Sequence, residues 1–162
     1  MIRKKFPIPM KDSDFSDFAD IKTSSDDYAK RFSGKTGEWF LSVQADIIIS
    51  MLKNLNCNSV LDVGGGHGQL TGVLCKEGFK TTVFGSDNIC SKRIEHFLKN
   101  NSCSFKSGSV VNLPFSDRSF DAVICIRFLS HVIHWQKMIE ELCRVAKYAV
   151  IVDYPPARSF NF

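Results

Sequence analysis

The sequence predicts an α/β fold, a parallel sheet with helices on both faces, and three observations predict it. Apolar strand-like runs alternate with helix-period stretches from residue 59 onward. One of these runs, Phe120 to Ile126, is apolar on both faces apart from Asp121, as a central parallel strand requires. Another runs into a glycine-rich turn that opens a helix: Val60-Leu61-Asp62-Val63-Gly64-Gly65-Gly66-His67-Gly68-Gln69-Leu70. Sheets of this kind bind ligands at the carboxyl ends of their strands, near the switch in strand order.

Taken in order, residues 1–25 are polar, broken by Pro7 and Pro9, and read as a flexible arm. Phe6, Phe15 and Phe18 within it suggest that part of the arm packs on something. A helix is expected from Glu38 to Leu55, because Phe40, Val43, Ile47, Met51 and Leu55 recur at steps of three and four. Asn56 and Asn58 supply its stop. Ser59–Val63 is the first strand. A helix over Gln69–Glu77 carries Leu70, Val73 and Leu74 on one face and ends at Gly78. Thr81–Gly85 is β-branched and aromatic, a second strand. Cys90–Lys99 reads as a helix with Ile94, Phe97 and Leu98 inward, and Ser104–Ser107 as a weak third strand. After the fourth strand, Trp135, Met138, Ile139, Leu142 and Val145 mark a helix. Tyr148–Val152 is the fifth strand, ended by Asp153-Tyr154-Pro155-Pro156 because proline cannot continue a central strand.

The 162 residues suit one domain, taken here as residues 26–162, and suffice for a core without a metal or disulfide staple. A net charge of +4 is too small to argue for a nucleic-acid partner, and the one tight basic cluster, Arg3-Lys4-Lys5, sits at a terminus. The six cysteines form no C-x-x-C pair and have no histidine at metal-ligand spacing. No metal site is therefore expected, and reduced thiols in a cytoplasmic protein are. The basic N-terminus lacks a following apolar run, so no secretion leader is expected, and no stretch is long enough to span a membrane.

Chemistry concentrates at the glycine turn. A P-loop would need Gly-Lys-Ser/Thr, which is missing, and the dinucleotide pattern G-x-G-x-x-G fails because Gln69 stands at its third glycine. What stands here is D-x-G-x-G-x-G, with an acid before the first glycine where it can face a cationic amine. Asp87, 25 positions after Asp62, ends the second strand where a carboxylate can accept from both hydroxyls of a ribose.

This segment resembles motif I of the class I S-adenosylmethionine-dependent methyltransferases. The stretch Gly108 to Asp121 is similar to the G-D-A-x-x-L-P-F-x-D-x-S-F-D of small-molecule members, the ubiquinone and menaquinone biosynthesis type among them, with Ser109 in place of the usual acid. Ile126 to Val132 and Glu140 to Val145 resemble the family's L-x-H-V and E-x-x-R-V stretches, although its K-P-G-G turn is replaced by Ala146-Lys147-Tyr148-Ala149. Tyr28 to Trp39 looks like the lead-in helix that often lies over the cofactor, so the resemblance covers about residues 26–156.

The resemblance implies a Rossmann-like sheet and a cofactor site of Asp62, Gly64, Gly65, Gly66, His67, Gly68, Asp87, Asn88, Ser109, Val110 and Arg127. In it Gly64 and Gly66 approach the methionyl part and ribose, Asp62 lies near the amino group, and Ser109 and Val110 hold the adenine. Methyl transfer is an in-line displacement for which position and a dry site suffice. An oxygen acceptor needs a base, for which His131 is the candidate, with His134 behind it; Tyr154 could border the acceptor. The expected function is methyl transfer to a small-molecule acceptor. The family sheet has seven strands and five are countable here, so a fragment, a non-catalytic or regulatory subunit, and completion by a partner chain or homodimer stay open as alternatives. A nicotinamide oxidoreductase is disfavoured by the failed G-x-x-G spacing.

Overall fold

A computed structural model describes residues 17–154. Five strands form one parallel sheet in the order β3-β2-β1-β4-β5: β1 Ser59–Val63, β2 Lys80–Gly85, β3 Cys103–Ser107, β4 Phe120–Cys125 and β5 Ala146–Val152. The helices are α1 Asp20–Thr23, α2 Asp26–Lys30, α3 Gly34–Asn54, α4 Thr71–Lys76, α5 Glu95–Lys99 and α6 Trp135–Val145. Strand order reverses between β1 and β4, whose pairing runs Val60 with Ala122, Leu61 with Val123 and Asp62 with Ile124.

The two-residue period of the central strands divides the core in two. Leu61, Val63, Val123 and Cys125 face one side, where Met138, Leu142 and Val145 of α6 cover them. Val60, Ala122 and Ile124 face the other, under Ala45, Ile48, Ile49 and Leu52 of α3 and Leu70 and Leu74 of α4. Every one of these strand residues is fully buried, as expected for a parallel sheet covered on both faces.

The expected strands are all present, within a residue or two at their ends. The helix after β2 differs. Asp87 accepts from the Ile89 amide at 2.8 Å, so the turn begins early and runs as a 3-10 helix over Asn88–Ile94 before α5. Ser91 donates to the Asn88 carbonyl at 2.8 Å, which favours the tighter turn. The helix expected over 38–55 exists as α3, but its inward face is another one. Phe40, Val43, Ile47, Met51 and Leu55 are exposed, and Ala45, Ile48, Ile49 and Leu52 are buried. The sequence carries two apolar stripes, and the sheet takes the one whose alanine and isoleucines fit against Val60 and Ile124.

Within the stretch expected to be a flexible arm, residues 17–25 are docked: Asp20, Thr23 and Ser24 are buried. Residues 1–16, with Phe6 and Phe15, and Pro155 and Pro156 lie outside the described residues. No described helix is long and apolar enough to cross a membrane.

Leu52 and Met51 separate the two faces of α3. Leu52→Ala is expected to cost about 2–5 kcal/mol and Met51→Ala less than about 1 kcal/mol, read from urea midpoints at unchanged slope.

Candidate cofactor site

The tip of β1 is closed by a turn that only glycine can form. Gly64 has φ +78°, and its amide donates to the Phe84 carbonyl of β2 at 2.8 Å. A Cβ there would stand 2.6 Å from Cδ1 of Phe128, the second residue of the loop after Ile126. Gly65 opens a 3-10 turn over Gly65–His67, and a Cβ on it would fall on the carboxylate of Asp62. The glycines thus let the backbone close over Asp62 on one side and meet Phe128 on the other.

Asp62 is fully buried, and neither of its oxygens has a hydrogen-bond partner among the described residues. Burial pushes its pKa up to about 7, against the pull of Arg127. His67 is 2% exposed, and its Nδ1 accepts from the Gln69 amide at 3.2 Å. Burial, with Arg127 nearby, lowers its pKa to about 3, so the ring is neutral. Arg127 follows β4 by two residues and has φ +58°, a left-handed backbone held where its amide donates to Oδ1 of Asp153 at 2.5 Å. Gln44 of α3 donates to the other oxygen of Asp153 at 3.0 Å. The Arg127 guanidinium lies over the Phe32 ring at 4.6 Å and donates through Nη2 to Gln69. Its Nε and Nη1 are buried with no acceptor.

The strand tips bring most of the sequence-predicted residues to one edge. Asp87 is exposed beyond β2, capping the following turn. Asn88 accepts from the Ser107 hydroxyl at 2.7 Å, joining the ends of β2 and β3. Ser109 is exposed and Val110 is buried beside Phe84 in the core. His131 ends a half-buried 3-10 turn over Leu129–His131. The residues around that turn, Leu129, Ser130, Val132, Trp135 and Tyr154, line a cavity of about 270 Å³. His131 is not among the lining residues, and His134 is engaged with Asp17 through Nδ1 at 2.8 Å. Asp121 lies at the opposite end of the sheet, where it accepts from the Asn58 and Ser59 amides at 3.0 Å each.

Sequence reasoning did not single out Gln69, Asp153 or Asp20 as site residues. Asp153 carried a usable signal, an acid ending an apolar strand just as Asp62 nearly does. Asp20 carried none, since it is one aspartate of several in a polar segment.

Residues 61–151, more than half of the chain, match the family described as a methyltransferase domain, and the chain belongs to that family. A methyltransferase of Schizosaccharomyces pombe, itself uncharacterised, is 37% identical over 99 residues, covering 54% of this chain and 36% of its own length. O-methyltransferase 7 of Dictyostelium discoideum is 26% identical over 150 residues, covering 86% of this chain and 43% of its own. The chain therefore spans less than half the length of these two relatives. A SAM-dependent methyltransferase from Aquifex aeolicus shares the fold, with a TM-score of 0.56 at 22% identity over 70% of this chain and 66% of that one.

The buried carboxyl of Asp62 ties stability to pH. Unfolded, it ionises near 3.8; folded, only near 7. The unfolded chain therefore gains by ionisation over that window, and stability falls as pH rises from about 4 to about 7, then levels off. Asp62→Asn is expected to flatten this dependence and to exceed the native chain at pH 8 by up to about 4 kcal/mol in denaturant unfolding.

Proposed function

We propose that this chain carries the cofactor site of an S-adenosylmethionine-dependent methyltransferase that acts on a small molecule. One observation carries the reading. At the tips of β1 and β4 a buried carboxylate and a half-buried guanidinium each hold enclosed polar atoms with no partner among the described residues, Asp62 through both oxygens and Arg127 through Nε and Nη1. Such groups are costly unless a ligand completes them. Their charges suit a zwitterionic ligand, the ammonium toward Asp62 and the carboxylate toward Arg127. The methionyl head of S-adenosylmethionine is such a ligand. Asp87 stands free of burial at the next strand tip, where ribose hydroxyls would donate to its carboxylate.

The cofactor, when bound, supplies an activated methyl group. The residues do the rest by position. Arg127 is fixed by Asp153, Gln69 and the Phe32 ring, so its open N–H groups are aimed before any ligand arrives. His67, neutral and enclosed, walls the turn and adds no charge. The cavity beside Leu129 and Trp135 is of the size and apolar character that a small acceptor needs. His131 remains the candidate base for an oxygen acceptor, and the O-methyltransferase from Dictyostelium favours that acceptor atom. A cytoplasmic setting fits the six free thiols.

Titration calorimetry with S-adenosylhomocysteine tests the site. Asp87→Asn keeps an oxygen to cap the Ile89 amide but removes the charge, and is expected to weaken binding about 10- to 100-fold. Arg127→Met is expected to weaken it by a similar factor. Binding of NADH instead, or equal affinity in both variants, would sink the reading.

A further inference from the structure

The glycine turn is covered by the chain itself. Gly64, Gly65 and Gly66 are all buried. A Cβ on Gly66 would collide with the Ser24 hydroxyl and the Cys90 carbonyl. Ser24 follows α1, and its hydroxyl is buried there beside Cys90. Asp20, at the start of α1, is 0% exposed. One of its oxygens accepts from the Ser86 amide at 2.6 Å and the other from the Ser86 hydroxyl. Ser86 is the residue just before Asp87.

We propose that residues 17–26 form an acidic strap that fills the cofactor cleft, and that cofactor and strap compete for it. This rests on the reading of the glycine turn as a cofactor site. Three aspartates pin the strap to three different elements. Asp17 accepts from the His134 amide at 3.3 Å and pairs with its Nδ1 at 2.8 Å, ahead of α6. Asp20 holds the tip of β2. Asp26 pairs with Arg93, whose Nε also donates to the His67 carbonyl at 3.2 Å, so one arginine holds both the strap and the glycine turn.

The chemistry of this docking makes it reversible. The strap's buried residues are polar ones, Asp20, Thr23 and Ser24, while Ile21 stays exposed and of its apolar side chains the small Ala19 packs against the core. Little apolar surface is lost when it leaves. Burying the Asp20 carboxylate is itself unfavourable, and hydrogen bonds from Ser86, with a smaller contribution from the Cys90 thiol, offset it. A ligand that lies against Gly66 and reaches Asp87 has to take the space held by Ser24 and Asp20. Its apparent affinity is then the intrinsic one scaled by the fraction of molecules with the strap undocked.

The test uses the full chain, S-adenosylhomocysteine and a variant, Asp17→Asn with Asp26→Asn, that weakens the two outer pins and leaves Arg93 and every residue of the glycine turn unchanged. With both charges removed, the variant is expected to bind about two- to thirtyfold more tightly than the native chain. Ligand should also speed amide hydrogen exchange over residues 20–24 while slowing it over Gly64–Gly68. Equal or weaker binding by the variant, with native binding intact, overturns the strap and leaves the cofactor site standing. Slower exchange over residues 20–24 on binding makes the segment a lid over the ligand and also overturns the proposal. Failure of both proteins to bind removes the cofactor reading and the strap with it.

Discussion

A single enclosed carboxylate organises the ligand end of this molecule. Asp62 sits on the central strand with both oxygens unpartnered, directly beneath Gly65. Its position requires a residue without a side chain at Gly65 and a left-handed turn at Gly64. The backbone of Arg127 is held by Asp153, and Tyr28, Asp153 and Asp62 together favour its charge against burial. Asp62 and Arg127 are not hydrogen-bonded to each other, and both keep polar atoms unpaired among the described residues.

The opposite end of the sheet is built on a different principle, with Asp121, Glu141 and Arg144 all engaged. Asp121 accepts two amides at the start of β1, and those bonds hold its pKa below the ordinary carboxylate value. Arg144 of α6 donates to Glu141, to Asp117 and to the carbonyls of Leu113 and Phe115. Glu141 in turn accepts from the Leu113 amide at 2.7 Å. This cluster fixes the long Leu113–Asp117 loop to α6. The Glu and Arg noticed as a sequence pattern are thus structural, and from α6 they anchor the loop that leads out of the Ser109–Val110 region. One end of the sheet spends its polar groups on rigidity, and the other keeps them open.

Much of the fold was legible because its signals are local. The run Val60–Val63, the both-sided apolarity of Ala122–Cys125 and the steps of Met138, Leu142 and Val145 each reflect burial on a known period. The inward face of α3 was not legible. Two apolar stripes on one helix have the same period, and only the shape of the sheet beneath selects Ala45, Ile48, Ile49 and Leu52. Within the site, Asp62, the glycines, Asp87 and Arg127 were legible from their places at strand ends. Gln69 and Asp20 were not, because each gains its role from a residue at least 58 positions away, and Asp153 showed only its place at a strand end, its partner lying 26 positions back.

The sequence by itself determined the parallel α/β sheet, the turn at Gly64–Gly68 and the acids at the tips of β1 and β2. Those features follow from backbone periodicity and from the conformations glycine alone permits, which neighbouring residues settle. Tertiary structure decided which oxygens of Asp62 and which nitrogens of Arg127 stay unpartnered, which face of α3 turns outward, and that the polar segment at Asp20–Ser24 lies against the glycine turn. Each of those depends on elements distant in the chain arriving at the same place, and pairing across such distances leaves no periodic trace in the residues themselves.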